Sequence, residues 1–407
     1  MKIAHDKTIA RKTDISLKFE DQNLTSFAGA IVFQEFFKQI RFKEKLKKCC
    51  RSQNEKSTHV YRYDILFSVL IFNIILGFKR ISDTSFYADD PIVKRAIGIK
   101  KMPSVPTISR MMNDLDKSTV ERYQDFMKQE VISILKKENL RRLTLDFDGS
   151  VLTSKRYAQG TAVGFNKNKK GQRSYYPLFC MVEEMGLVLD VLHRSGNVHD
   201  SNGSLEFVKN CIVLIRKALP KCVIEIRMDS AFFSDEMIRF LEGSKVQYTI
   251  SVPFERFTEL KGIIEKRKFW RAYKQGNYKG GYFDKKWKPK KWGKCSRFVF
   301  VKKEVKKQNK KTVQLDLFEP IDWGFEFKVI VTNKKRFSRN IVRFHEGRGQ
   351  QEHVFAELKN QAAMSYIPVK SGNGNRSYLV SSVLAHNLTR IMQIKNTEKD
   401  RGTNQQR

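Results

Sequence analysis

Apolar positions recur at three- and four-residue spacing from about Ser26 to Leu140, and the texture becomes alternating after that. "AIVFQEFFKQIRFKEKLKKC", from Ala30, carries helical spacing. "ILFSVLIFNIILGF", Ile65 to Phe78, is almost wholly apolar. It is shorter than the ~20 residues of a membrane span, contains Asn73 and runs into Lys79 and Arg80, so it predicts a buried core helix. "PSVPTISRMMNDL" predicts a short helix capped by Ser104 or Thr107 with Pro106 at its start. A small helix following others suits a helix-turn-helix-like unit, as it suits any helical bundle.

From Arg141 the pattern is β-rich. "RRLTLDFDGSVLTS", "YYPLFCMVEE" and "GLVLDVLHRSG" predict three successive strands, the last two joined by a tight "EMG" turn. "SNGSLEFVKNCIVLIRKALP" is an amphipathic helix begun by Ser201 or Asn202 and closed by Pro220. "CVIEIRMDS" and "VQYTISV" are strands separated by the capped helix "SDEMIRFLEGS", an α/β order. "FEFKVIVTN", Phe325 to Asn333, restores an apolar strand after a basic interruption. "HEGRGQQEHVFAELKNQAA", from His345, predicts one helix, and "NRSYLVSSVLAHNLTRIMQI" the last. The expected divisions are a helical domain at 1–140, an α/β core at 141–253 and 325–396, a β-rich insertion at 254–324, and a disordered tail at 397–407.

Charge narrows the class of protein. The 407 residues hold 78 Lys or Arg against 43 Asp or Glu, a formal net charge of +35. Such an excess calls for a polyanionic partner. With 41% hydrophobic and 12% aromatic residues, the chain is also rich enough to fold around a sizeable core, unlike a short packing protein. Residues 251–311 alone carry 21 Lys or Arg, five Asp or Glu and twelve aromatic residues, among them Trp270, Trp287 and Trp292. Basic and aromatic residues interleaved in this way suit phosphate contacts with base stacking; a solubilising β excursion with core aromatics is the plainer alternative. The six cysteines form no CxxC pair, which disfavours a zinc ribbon and fits a reducing cytoplasm. The N-terminus has no apolar core and is not a signal peptide.

Candidate chemistry lies at three places. Asp146 and Asp148 share one face of the first strand; Asp229 ends "IRMDS"; Glu352 sits on the predicted helix from His345. On that helix Arg348 and Glu352 are four apart, Lys359 lies two turns on and His345 precedes Arg348 by three, so all four fall along one stripe. An ion pair on a solvated helix has the same spacing. Carboxylates in apolar flanks are costly unless a cation offsets them, and oxygen-only ligands favour Mg2+ or Mn2+. Lys167, Lys169, Lys170 and Arg173 form a basic loop that either contacts phosphate or is simply solvated. His193 and His199 read as structural or solvent-exposed residues.

The strand order, the basic β insertion and these acids together resemble the DDE transposases of bacterial insertion sequences. In the closest group of that family the signature is Tyr, two residues, Arg, three residues, Glu, six residues, Lys. Arg348, Glu352 and Lys359 have that spacing, with His345 in the place of Tyr. "LDFDGS", "GFNKNKKGQRSYYPL", "RSGNVHDSNGSLEF" and "RMDSAFF" also resemble family segments in order. The resemblance implies an RNase H-like catalytic core with a mixed five-stranded sheet and helices. It implies a catalytic, metal-binding triad of Asp148, Asp229 and Glu352 holding two Mg2+ or Mn2+ ions, with Asp148 favoured because it precedes Gly149–Ser150. It further implies that His345, Arg348 and Lys359 contact DNA beside the cut, with Lys169, Lys170, Arg173, Trp287 and Trp292 as further DNA contacts. The expected partners are the element's terminal inverted repeats and target DNA, bound by a homodimer in the cytoplasm, with no membrane. A nuclease that only hydrolyses and an inactive DNA-binding regulator are the rival functions.

Overall fold

A computed structural model describes residues 25–51, 60–164, 166, 169–198, 202–275, 278–304, 321–322 and 325–404. Lys167 and His199 lie outside them. The chain begins with α1 (Ala30–Gln39), α2 (Phe42–Cys50), α3 (Tyr63–Ile75), α4 (Pro91–Ile97), α5 (Val105–Asn113) and α6 (Lys117–Glu138). Local chemistry sets several of their ends. The Asp90 carboxylate accepts from the Ile92 and Val93 N–H groups at 2.9 Å each, with Pro91 opening α4. Ser104 caps α5, and Asp116 caps α6 by accepting from Thr119 N–H at 2.8 Å. The apolar run becomes α3 and is buried on nearly every side. Its one amide is satisfied there: Tyr87 donates to Asn73 Oδ1 at 2.8 Å, and Asn73 Nδ2 donates to the Arg80 carbonyl at 3.1 Å. Among the described residues no helix is long and apolar enough to cross a membrane.

The strands follow as β1 (Arg142–Gly149), β2 (Leu152–Thr153), β3 (Ala162–Val163), β4 (Arg173–Tyr175), β5 (Leu178–Val182), β6 (Leu187–Leu192), β7 (Val223–Met228), β8 (Gln247–Val252), β9 (Arg271–Gln275), β10 (Tyr278–Trp287), β11 (Ser296–Glu304), β12 (Ile321–Asp322) and β13 (Phe325–Thr332). α7 (Ser204–Ala218) and α8 (Asp235–Gly243) connect β6, β7 and β8; α9 (Thr258–Glu265) precedes β9. α10 (Ser338–Glu346), α11 (Gln350–Asn360) and α12 (Gly372–Asn404) close the chain. The main sheet has the order β6-β5-β1-β7-β8-β13-β11-β10-β9, with β12 on β13. β1, β7 and β8 are parallel, and β5 pairs antiparallel with both β1 and β6. β2, β4 and β3 make a separate small sheet carrying the basic loop.

Three expectations are corrected. The five-stranded sheet is a ten-stranded one, because the basic interruption does not fold away from it. β13 pairs with the exposed edge of β8, and β11, β10 and β9 extend that edge as hairpins. Phe298, Val299 and Phe300 on β11 are fully buried, so this stretch contributes core as well as surface. The helix after β6 is entered through Gly203 at φ 73° rather than capped by Asn202; Ser201 lies outside the described residues. The backbone of α12 runs on to Asn404, so the tail expected to be disordered from 397 is helical to that point; extending a packed helix needs no new nucleation. α12 packs on α3, α5 and α6, and α6 on β6. The helical N-terminal part and the sheet therefore share one continuous core.

Candidate active site

β1 and β7 run side by side in the same direction, with Phe147 opposite Met228. One residue further along each chain stand Asp148 and Asp229, so the register sets both carboxylates at the same end of adjacent strands. Asp148 Oδ1 accepts from Gly149 N–H at 2.8 Å, and Asp229 Oδ1 from Ala231 N–H at 3.0 Å, which opens a 3-10 turn at Ser230–Phe232. Their other oxygens face one guanidinium. Arg348 Nη2 donates to Asp148 Oδ2 at 2.8 Å and lies 3.9 Å from Asp229 Oδ2. All three side chains are roughly three-quarters buried.

The predicted single helix is two helices. α10 ends at Glu346, a 3-10 turn spans Gly347–Gly349, and α11 begins at Gln350. Arg227 explains the break. It lies on β7 beside Asp146 on β1, and the two form a bidentate pair with both bonds at 2.6 Å. Arg227 Nη1 also donates to the Phe344 carbonyl at 3.0 Å, at the end of α10. A Cβ on Gly347 would sit 2.4 Å from that same nitrogen, so a side chain here would push the guanidinium off its present bonds. Asp146 is thus engaged inside the protein while Asp148 is turned towards Arg348. Sequence reasoning missed Arg227; its signal was a cation at an inward position of the apolar strand "VIEIRM".

The remaining candidates separate. His345 is buried at the end of α10, its ring nitrogens 2.8 Å from Ser251 Oγ and 2.9 Å from Thr249 Oγ1. Burial, then Lys328, Arg348 and Arg227, hold it well below the usual imidazole range, so it stays neutral. It fastens α10 to β8 and does not face solvent, which corrects its placement on a DNA-facing stripe. Glu352 is exposed on the first turn of α11 and makes no ion pair among the described residues. No group of three His, Cys, Asp or Glu poised to hold a metal is assembled among them. Lys359 lies near enough to Asp148 for the carboxylate to support its charge, against burial, which lowers its pKa. α11 is seated by Val354, Leu358 and an edge-on contact of Phe355 with Phe179 at 5.2 Å.

Lys169, Lys170 and Arg173 are exposed around the small sheet. Arg173 donates to Thr161 Oγ1 at 3.1 Å and lies over the Tyr157 ring at 5.3 Å. Trp287 and Trp292 are half-buried. Trp287 packs edge-on against Phe257 and Phe298, and Trp292 stacks on Phe233 at 4.9 Å. His193 is pushed down to about 3, by burial and then by Arg376, as a structural histidine would be.

Two strand-end carboxylates thus lie under an arginine, with a lysine near them, in a strongly basic α/β chain. The comparisons then fix the family. The chain belongs to the transposase DDE domain group 1 family, which it matches over residues 7–406. Its fold is similar to that of a piggyBac transposase synaptic complex with hairpin DNA, at TM-score 0.50 and 10% identity, over 91% of this chain and 76% of that one. A Mos1 transposase paired-end complex with left transposon end aligns over 53% of this chain and 66% of its own, at 10% identity and TM-score 0.20. No curated protein matches.

Proposed function

We propose that this protein is a DNA transposase that cuts the ends of its own insertion sequence and joins them to target DNA by two-metal-ion phosphoryl transfer. The observation that carries the reading is the convergence of Asp148 and Asp229 on a single guanidinium. Two carboxylates share a cation there, and their all-oxygen donors suit Mg2+ or Mn2+. Asp148 and Asp229 would hold the ions, with Glu352 completing the set from the first turn of α11. When bound, such ions lower the pKa of the attacking water or hydroxyl and stabilise the leaving oxygen. Arg348 would then exchange its carboxylate partners for a DNA phosphate, and Lys359 would hold the backbone beside the same acids. The run β6-β5-β1-β7-β8, three antiparallel strands followed by two parallel ones, supports an RNase H-like core within the larger sheet. Lys169, Lys170 and Arg173 offer a basic surface next to β1, and Trp287 and Trp292 a further contact region. DNA as partner agrees with the similar piggyBac structure, which contains hairpin DNA; a homodimer would pair two element ends.

The test is a gel of products formed on a duplex bearing the element's end, with Mg2+ and target DNA. Joined products support the transposase. Cleavage without joining makes the protein a nuclease, and DNA binding without cleavage makes it an inactive regulator.

A further inference from the structure

The sheet places a second cationic site at the same end as the acids. β13 is antiparallel to β8 and β11 antiparallel to β13. The start of β13 and the end of β11 therefore lie at the sheet end where β1 and β7 terminate in Asp148 and Asp229. Lys328 stands there, on the third strand from β1, about 14 Å across the sheet at the usual strand spacing. Alternation along β13 puts its side chain on the face of Ile330, which packs with Ile341 and Val342 of α10. This is the face that also carries Asp146, Arg227 and Thr249, under α10 and α11.

The acids nearest Lys328, Glu346 and Glu326, do not pair with it. Lys328 is half-buried, and among the described residues its ammonium has neither a hydrogen-bond acceptor nor a carboxylate in ion-pair contact. Lys303 on β11 is paired with Glu346. Arg348 commits Nη2 to Asp148, while its buried Nε–H finds no acceptor. Burial first, then Arg348 and Lys303, press the Lys328 ammonium below the usual lysine range, with Glu346 and Glu326 opposing more weakly. An unpaired half-buried ammonium among like charges is costly unless a ligand supplies the counter-charge.

We propose that Lys328, with Lys303 and the Nε–H of Arg348, forms a seat for a second DNA backbone phosphate, beside the one that Arg348 Nη2 would take at the Asp148–Asp229 pair. The inference rests on the reading of this protein as one that acts on DNA. A phosphodiester oxygen accepts from both the ammonium and the free guanidinium N–H, which a carboxylate fixed in the protein does not do here. The seat would set the direction in which the strand crosses the sheet end.

Lys328→Met and Lys328→Arg test it, by fluorescence anisotropy on a labelled duplex of arbitrary sequence, with thermal unfolding of the free proteins alongside. In Lys328→Met the slope of log affinity against log salt should flatten by about 0.9, so its deficit against the native protein shrinks about 3.5-fold between ~50 and ~200 mM salt. Lys328→Arg should keep the native slope. The Tm of free Lys328→Met should not fall, because no internal ion pair is lost. An unchanged slope in Lys328→Met, beside a native protein that binds DNA, overturns the seat. A lowered Tm of the free variant also overturns it, by making the lysine structural. A native protein with no salt-dependent affinity defeats the DNA reading itself.

Discussion

Replacing Asp146 with Asn should unfold this protein more easily, whereas replacing Asp148 should not. Asp146 and Arg227 are each 2% exposed as side chains and share two 2.6 Å bonds. The amide keeps one acceptor but turns an N–H2 towards a guanidinium that can only donate. It also leaves the buried Arg227 charge with only the more distant Glu183, 3.6 Å from Nη2, as counter-ion. Breaking one side of such a pair costs about 3–5 kcal/mol, a large part of a typical total of roughly 5–15 kcal/mol. With an unfolding entropy of roughly 2.1 cal/mol/K per residue, a chain of this length loses about 4–6 °C in Tm. Arg227 also holds the Phe344 carbonyl, so the turn at Gly347 and the position of Arg348 should loosen with it. Thermal and urea unfolding of Asp146→Asn, Asp148→Asn and the double variant Asp146→Leu/Arg227→Met would measure this. The double variant should recover much of the loss, since an apolar replacement of a buried pair is often neutral. An Asp146→Asn protein as stable as the native one would refute the reasoning, and loss of cleavage in that variant could not then be assigned to misfolding.

Asp148→Asn, Asp229→Asn and Glu352→Gln should each abolish Mg2+-dependent cleavage while DNA binding persists; any one that still cuts at the native rate removes that residue from the proposed triad. His345, His193 and His386 are all held below 6.5 in the folded chain, chiefly by burial, so unfolding takes up protons below that pH. Their contribution is complete above pH 6.5 and is lost as pH falls, by up to about 1.4 kcal/mol per pH unit for each group. Urea midpoints between pH 7.5 and 5.5 should therefore drop, less so in His345→Asn, and a flat profile would contradict the burial of these rings. Trp292→Ala should cost about 2–3 kcal/mol, less than a fully buried ring, because it removes the stack on Phe233. If instead that variant unfolds normally, nicks DNA and stalls at a later step, the ring belongs to the DNA.

Much of the architecture was legible in the order of residues. Alternation marked β1, β5 and β6, three- and four-residue spacing marked the helices, and Ser104 and Ser234 announced helix starts that the structure bears out. These features are local: periodicity and capping depend on neighbours within a turn or two. Asp148 and Asp229 could be picked out as strand-end acids for the same reason. Which acid turns towards Arg348 and which is locked to Arg227 could not be read there, because it depends on strand register between residues 81 apart in sequence. The stripe from His345 to Lys359 was drawn on an unbroken helix; the turn over Arg227 breaks it, and burial against Ser251 and Thr249 takes His345 out of it. The basic stretch looked like a separate excursion because its charges dominate its composition. Only the free edge of β8, which composition does not encode, decided that its strands would complete the main sheet. Sequence by itself determined the elements and the chemistry available to them. Strand pairing and burial, which act between distant residues, decided which of those groups meet.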